Sequence, residues 1–464
     1  MAETDFAKMS ATELLDGYRR KDFSPVAVTQ TMLSRIQDWN PVINAFQFLD
    51  AEGALEQARA SEARWRAGAP QGLLDGVPTA VKDGLPMKGA PIFRGSLANG
   101  SNGQAADSDA PCVERLRENG AVILGKTTMC DYGMLASGYS SKFGPTRNPR
   151  QPSANSGGSS SGSAAAVAAG ITPVIIGTDI VGSVRNPASF CGVFGHKPSF
   201  GRVPYYPQTS PSVCAGPIAR SVEDAALLLN VLAQSDSRDA TALPPEKTDY
   251  AIGLSEGVKG RRFAMLTELG LGPRVDAEVA SLVEKAARVF EGIGGVVGSV
   301  DTPFKPEDIA CGDRFYQVRA LAELTLLPED VQKQADVIWN WTEPARSYTA
   351  NEHYNDFLGT QDLRNRFIQM MGDADFLLLP TVPVPPYAAE NPGLDNGDIF
   401  APWSNTFVVN LTQQPAASIP CGETAFGLPV GLQIVGRRFD DVGVLGAAAA
   451  YERASGLKIS VARL

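Results

Sequence analysis

The chain has 464 residues, of which 44% are hydrophobic and 20% are charged, an ordinary composition for a globular protein with a large core. Its net charge of −10 argues against a nucleic acid or an anionic membrane surface as the main partner. Since no stretch approaches 18 consecutive apolar residues, no membrane-spanning helix is expected.

Helical and strand patterns alternate along the chain. A capping signal between Ser10 and Glu13 opens the first helical stretch. Helices are predicted over 10–37, 52–67, 112–119, 163–170, 221–233 and 277–290. Strands are predicted over 121–126, 174–177, 262–267, 376–379 and 428–435. The alternation predicts an α/β layered fold with a mostly parallel or mixed sheet.

The helical and strand patterns are weakest in two stretches, 234–260 and 300–360. They contain clusters of Pro, Asp and Lys, and many aromatic residues. One interpretation is a peripheral layer of helices. The other is that part of this region covers the substrate pocket and sets specificity.

The small number of histidines and the spacing of the cysteines limit the kinds of catalytic site that are expected. The only histidines are His196 and His353, so zinc chemistry is disfavoured and a catalytic base other than histidine is expected. The six cysteines are scattered without a CxxC pair. This usage fits reduced thiols and predicts a cytoplasmic protein.

Two hydroxyl-rich stretches carry the strongest functional signal. Residues 155–170 pack several serines, among them Ser159, between glycines just before an alanine-rich helical run. Residues 177–185 place a single serine, Ser183, after a turn. Because both stretches continue into apolar segments, we interpret them as loops built into a core rather than as linkers.

A lysine provides the base that the two serines need for nucleophilic catalysis. Lys82 ends a short β-prone run that has the pattern of a buried segment, and burial lowers the pKa of a lysine enough to make it a base. Such a base can activate the hydroxyl of Ser183, with a second serine, Ser159, passing the proton. Gly177 and Gly182 let backbone amides near Ser183 approach a carbonyl oxygen as an oxyanion hole.

These residues lie in motifs that resemble the amidase signature family, serine hydrolases with a Ser-cisSer-Lys triad. The resemblance covers roughly 10–235 and 370–455 and leaves the middle of the chain unmatched. The matching motifs lie at 76–83, 157–168, 177–185, 191–203, 216–221 and 428–436.

The resemblance implies the fold. It predicts one large α/β domain, 1–464, with a central mixed, twisted sheet covered by helices on both sides. Within it we expect four parts: N-terminal helices, a catalytic signature core, a variable substrate-pocket region, and a C-terminal part that completes the sheet. These correspond to 1–70, 71–235, 236–365 and 366–464.

The resemblance also implies the roles of individual residues. Ser183 is the acyl nucleophile, Ser159 is the bridging serine after a cis Gly158–Ser159 peptide, and Lys82 is the base. The implied oxyanion-hole amides are those of Ile180, Val181, Gly182 and Ser183. The implied substrate-binding residues are Met129, Gly133, Met134, Thr178 and Asp179. No metal and no cofactor are expected.

Three positions depart from the family pattern. Val181 replaces a glycine in the oxyanion turn, where a β-branched side chain narrows the allowed backbone. Ser161 replaces another glycine, and Cys130 stands where the family often has an acid. None of the three removes a member of the implied triad.

The expected function is hydrolysis of a carboxylic amide through a Ser183 acyl-enzyme, with apolar or aryl amides favoured as substrates. Esters and carbamates, as in urethanase-like members, share the acyl carbon and stay open. The expected partner is a small-molecule amide or carbamate, not nucleic acid or membrane, and a homodimer is left open.

Two alternatives accompany this expectation. Residues 158–162 also fit the Gly-x-Ser-x-Gly elbow of α/β-hydrolases, which would make Ser160 the nucleophile and His353 the base of an esterase. The other is the A-type component of a glutamyl-tRNA amidotransferase, which shares the motifs and releases ammonia from glutamine for a partner. The acidic charge and the unmatched middle favour a stand-alone hydrolase.

Overall fold

A mixed sheet forms the centre of the protein in the computed structural model, which describes residues 5–463. The strands within this range are β1 Phe46–Leu49, β2 Pro78–Lys82, β3 Pro91–Ile92, β4 Gln104–Ala105, β5 Val122–Thr127, β6 Arg147–Asn148, β7 Gln151–Asn155, β8 Val174–Asp179, β9 Phe194–Lys197, β10 Cys214–Ala219, β11 Arg262–Met265, β12 Val296–Ser299, β13 Phe376–Pro380, β14 Ala416–Glu423 and β15 Pro429–Val435.

Eleven of these strands pair in the order β1-β5-β2-β8-β10-β9-β14-β15-β13-β11-β12. Strand β2 is parallel to both of its neighbours, β5 and β8, and β11 is parallel to β12 and β13. The remaining neighbours are antiparallel. The prediction of a single domain with a mixed sheet is confirmed.

The helices cover the sheet and connect its strands. They are α1 Ala11–Arg20, α2 Pro25–Ile43, α3 Ala51–Ala67, α4 Pro111–Glu118, α5 Ser161–Ala168, α6 Arg185–Cys191, α7 Val222–Leu232, α8 Ala277–Gly292, α9 Ile309–Leu324, α10 Glu329–Gln332, α11 Asp336–Thr342, α12 Ala350–Met370, α13 Phe407–Leu411 and α14 Asp441–Ser455. Among residues 5–463, no helix has the length and apolarity needed to cross a bilayer.

Local signals in the sequence explain several boundaries. The Ser10 side chain accepts from the Glu13 amide, and the Glu13 side chain accepts from the Ser10 amide, a complete capping box for α1. Ser24 caps α2, whose first residue is Pro25. Ser221 caps α7 in the same way. The predicted helices and strands are all present, with ends shifted by a few residues.

The sheet has a hydrophobic core on each face. Along β8, Val174 and Ile176 pack into one core and Ile175 into the other, as the alternation of side chains in a strand requires. The alanine-rich helix α5 is buried along its whole length, because small side chains allow close approach to the sheet. The two serine loops, 156–160 before α5 and 180–184 after β8, are buried as well.

The middle of the chain contributes strands to the main sheet as well as helices. Segment 236–365, expected as a substrate-pocket region, also supplies β11 and β12 at one edge of the main sheet. Helices α11 and α12 both pack on α9.

Candidate active site

Lys82, the last residue of β2, is fully buried. Its Nζ donates to Ser159 Oγ at 2.7 Å and to Thr178 Oγ1 at 2.8 Å. Both acceptors are uncharged, and no salt bridge of Lys82 is found in the part of the chain that the structure describes. Burial of the ammonium lowers the pKa of Lys82 to about 7, and the nearby Cys130 thiol and Asp179 carboxylate only partly oppose this.

The acidic residue beside Lys82 does not serve as its counterion. The carboxylate of Asp83 accepts from the amides of Phe93 at 2.9 Å and Gly95 at 2.8 Å. Its Oδ1 also lies 3.9 Å from Nζ of Lys126, another buried lysine. Because these donors occupy Asp83, Lys82 keeps only hydroxyl and carbonyl partners.

Ser159 lies in the loop between β7 and α5. The Gly158–Ser159 peptide is cis, as the resemblance implies. The Gly158 amide donates to Asn186 Oδ1 at 2.9 Å, which ties this loop to helix α6. A Cβ on Gly158 would collide with the carbonyl oxygens of Leu135 and Ser137, so only glycine fits there.

Ser183 lies in the turn between β8 and α6, and only 1% of its surface is exposed. Its Oγ has no hydrogen-bond partner among residues 5–463. The two serine loops meet through their backbones, since the Ser160 amide donates to the Ser183 carbonyl at 3.2 Å. The structure thus joins Lys82 to Ser159 and leaves the Ser183 hydroxyl free to engage another molecule.

The turn that carries Ser183 is organised around Asp179. One carboxylate oxygen accepts from the Gly182 amide at 2.7 Å and the other from the Val184 amide at 3.0 Å. Arg185 donates to both oxygens and forms a buried ion pair with this carboxylate. Burial alone would raise the pKa of Asp179, but the Arg185 guanidinium holds it far below its ordinary value. The carboxylate holds the loop, and its expected contact with substrate stays a prediction.

The same bonds limit which amides can form the expected oxyanion hole. Because the Gly182 N–H already donates to Asp179, it is not free for a substrate oxygen. The amides of Ile180, Val181 and Ser183 have no protein acceptor in the described range of the chain. Three of the four expected donors are therefore available.

Two of the expected substrate-binding residues lie beside Ser159. A Cβ on Gly133 would lie 3.3 Å from Ser159 Oγ and 3.2 Å from Met129 Cε. Gly133 therefore lies directly against Ser159, with the end of the Met129 side chain on the same side. Thr178 lies against Lys82 instead, where its hydroxyl accepts from the ammonium.

Met134 faces the middle region of the chain. Its Sδ lies 3.1 Å from Nη1 of Arg319 in helix α9. Arg319 also donates to Glu323, which in turn pairs with Arg94 at 2.7 Å. Helix α9 thus reaches the loop that borders Ser159.

An aromatic cluster adjoins the turn that carries Ser183. The Trp403 Cδ1 atom lies 3.2 Å from the position of a Cβ on Gly182. The Phe400 ring packs on Trp403, and on Tyr316 and Trp341, at centroid distances of 5.9, 5.9 and 6.4 Å. Tyr316 and Trp341 belong to the weakly patterned middle, so this region extends to the neighbourhood of the site.

The sequence reasoning missed two polar residues that brace the turn. Asn410 Nδ2 donates to the Asp179 carbonyl at 3.1 Å and to its carboxylate at 2.9 Å. Thr406 donates its hydroxyl to the carbonyl of Val181 at 2.6 Å. Both lie at α13, more than 200 residues further along the chain, and no local motif marked them.

The Ser160–His353 arrangement is not assembled. Ser160 Oγ accepts from the Thr178 amide and donates to the Thr178 carbonyl, both at 3.2 Å. The imidazole of His353 stacks on the ring of Phe315 in helix α9, at a centroid distance of 5.4 Å. Neither side chain contacts the other.

The Amidase family model matches residues 27–445. The chain belongs to this family. It is thus an enzyme of the amide-hydrolase class, and the match runs through the middle of the chain, so the prediction that this part is unmatched is wrong.

Relatives and solved structures agree with the family. The chain is 35% identical over 453 residues to the A-type component of the glutamyl-tRNA(Gln) amidotransferase of Myxococcus xanthus, and the match covers 92% of this chain and 93% of that protein. Its structure is similar to a bacterial aryl acylamidase of the amidase signature family, with a TM-score of 0.90, 32% identity and 97% coverage of both chains. It is also similar to the peptide amidase of Stenotrophomonas maltophilia, with a TM-score of 0.83, 26% identity and 99% coverage of both.

Proposed function

We propose that this protein hydrolyses carboxylic amides by itself, through an acyl-enzyme on Ser183. The observation that carries the proposal is the 2.7 Å contact between Lys82 Nζ and Ser159 Oγ, in a buried site where the lysine has no counterion among the described residues. With a pKa of about 7, Lys82 is substantially neutral near neutral pH and able to accept a proton.

The proposed reaction has two halves. The Ser183 oxygen attacks the amide carbon as its proton passes through Ser159 to Lys82, and the amides of Ile180, Val181 and Ser183 stabilise the oxyanion. The C–N bond then breaks while the proton returns through Ser159 to the leaving nitrogen. In the second half, water adds to the acyl carbon along the same proton path, the ester bond to Ser183 breaks, and the carboxylic acid leaves.

We propose apolar or aryl-bearing amides as the substrate class. The Met129 side chain lies beside Gly133, next to Ser159, and the Trp403 ring packs against the turn that carries Ser183. Apolar and aromatic surface of this kind favours an apolar ligand. The resemblance to an aryl acylamidase at 32% identity supports the same class. Aryl esters and carbamates would present the same kind of acyl carbon to Ser183, so they should be assayed beside the amides.

The decisive test of mechanism is acyl-enzyme trapping. Incubation with a slowly deacylated aryl carbamate or ester should add the acyl mass to the peptide that contains Ser183, as located by tandem mass spectrometry. Ser183→Ala should lose both the label and the activity, and Lys82→Met should lose at least ~10²-fold in kcat. Ser159→Ala should be severely impaired with a small remnant. A label on Ser160, or an active Ser183→Ala, would overturn the proposal.

A second candidate function has one specific observation in its favour. Curated relatives of the chain are A-type components of glutamyl-tRNA(Gln) amidotransferases, and the similarity covers more than nine-tenths of both chains. Under that function the chain would release ammonia from glutamine and work in a complex. Purified protein should be assayed alone on acetanilide, p-nitroanilides, aryl carbamates and glutamine. Turnover of glutamine but of none of the aryl substrates would favour the amidotransferase function.

The expected setting of the enzyme also stays a proposal. All six cysteines are free thiols in the structure, which is consistent with a reducing cytoplasm. A small-molecule amide or carbamate is the proposed partner. A homodimer is the open oligomeric option, and light scattering on the purified protein would test it.

A further inference from the structure

The side chain of Thr406, just before helix α13, is buried against the oxyanion turn. Its Oγ1 donates to the carbonyl of Val181 at 2.6 Å and lies 3.1 Å from the carbonyl of Trp403. A Cβ on Gly182 would collide with this hydroxyl. Thr406 therefore occupies the space that the glycine leaves open.

The peptide that Thr406 contacts is held at both ends. Its carbonyl belongs to Val181 and accepts from Thr406, while its N–H belongs to Gly182 and donates to Asp179 at 2.7 Å. Since a trans peptide is planar and its C=O and N–H point in opposite directions, these two bonds determine the orientation of the plane. The free amides of Val181 and Ser183 belong to the peptide units immediately before and after this one.

The two ends are also connected to each other. The Thr406 carbonyl accepts from both terminal nitrogens of Arg185 at 3.2 Å. Arg185 in turn pairs with the Asp179 carboxylate that receives the Gly182 N–H. Thr406 thus holds the Val181 carbonyl directly through its hydroxyl. Through its own carbonyl and Arg185, it also supports the Asp179 carboxylate that accepts from Gly182.

We propose that Thr406 is a positioning residue that sets the direction of the oxyanion-hole amides through the carbonyl of Val181. This inference rests on the proposed acyl-enzyme mechanism. Its physical basis is that an oxyanion hole works only when its donors are oriented in advance towards the developing charge. Thr406 does not touch the reacting atoms, so its effect should appear in the transition state more than in substrate binding.

The test compares Thr406→Val with Thr406→Ser on an aryl amide substrate. Valine keeps the branched shape but cannot donate to the Val181 carbonyl, so kcat should fall about 10- to 100-fold with KM nearly unchanged. Serine keeps the hydroxyl and should restore most of kcat. Thr406→Ala, which adds no bulk, is measured in parallel and should behave like the valine variant.

A binding measurement separates positioning from general damage. A trifluoromethyl ketone that adds to Ser183 forms an oxyanion, and its affinity should fall in Thr406→Val in parallel with kcat. A competitive amide inhibitor, which forms no oxyanion, should bind as in the wild type. Thr342→Val is the matched control, because Thr342 is equally buried, donates to a backbone carbonyl at 2.8 Å in helix α11, and should leave kcat unchanged.

The outcomes are distinguishable from failure of the mechanism itself. Wild-type kcat in both Thr406→Val and Thr406→Ala, or an equal defect in Thr406→Ser, overturns the positioning role while Ser183→Ala remains inactive. An active Ser183→Ala instead overturns the nucleophile on which the inference depends.

Discussion

Lys82 Nζ and Ser159 Oγ lie 2.7 Å apart in a fully buried environment, although the two residues are 77 positions apart in the chain. The next residue, Ser160, donates its amide to the Ser183 carbonyl, and the neighbouring Asp83 accepts from backbone amides and lies near Lys126. A buried ammonium with neutral partners is easily deprotonated. This property underlies the first two predictions.

The activity should rise with pH around neutrality. Lys82 must be neutral to accept a proton, and its pKa is lowered to about 7 by burial. We expect kcat/KM to increase through pH 7 and to level off on the alkaline side. Initial rates from pH 5.5 to 10 on an uncharged amide would measure this. A rate that keeps rising to pH 10 would show an unperturbed lysine and contradict the assignment.

Replacement of Lys82 by methionine should change how stability depends on pH. The pKa of Lys82 is about 7 in the folded protein, against an ordinary value of 10.5 for an exposed lysine, so the unfolded chain binds more protons between these values. The free energy of unfolding of the wild type should therefore increase relative to that of Lys82→Met as the pH rises from 7 to 10. Urea unfolding at both pH values would show it, with the exposed Lys333→Met as the control. A stability difference that does not change with pH would count against a depressed pKa.

Gly182→Ala should be inactive and less stable. The new methyl group would collide with the Thr406 hydroxyl, and Gly182 has a φ of +132°, which side chains other than glycine rarely adopt. We expect a loss of about 1–3 kcal/mol in the free energy of unfolding, from thermal or urea unfolding, together with loss of turnover. Gly68→Ala is the control, because Gly68 has a φ of +70° but open space around its Cβ position. Equal effects in both variants would assign the defect to backbone strain alone.

His353→Ala should retain the activity of the wild type. The imidazole stacks on Phe315 and contacts neither Ser159 nor Ser183, so its removal affects only packing in the outer helices. Steady-state assays on an amide and on an aryl ester would check both substrate types. Loss of ester hydrolysis in His353→Ala would revive the esterase alternative that uses Ser160.

Many elements were predictable because they follow local rules. Ser10 and Glu13 form a capping box whether or not the rest of the protein is known, and the all-apolar run at Val174–Ile176 is typical of a strand buried on both faces. The strand order was not predictable, since β8 lies between β2 and β10 for reasons of long-range packing. Strand β11 was predicted from its own residues, but its position between β12 and β13 likewise depends on long-range packing.

For the site, the sequence by itself determined the chemical groups: a lysine at the end of a buried strand and two serines in glycine-rich loops. Only the tertiary structure decided how they are arranged. In the folded protein Asp83 accepts from the Phe93 amide, and Asp179 accepts from the Gly182 amide. Thr406 donates to the Val181 carbonyl, 225 positions away in the sequence. The physical reason is that periodicity and turn chemistry encode local conformation and burial, whereas hydrogen-bond partners depend on which distant segments the packed layers bring together.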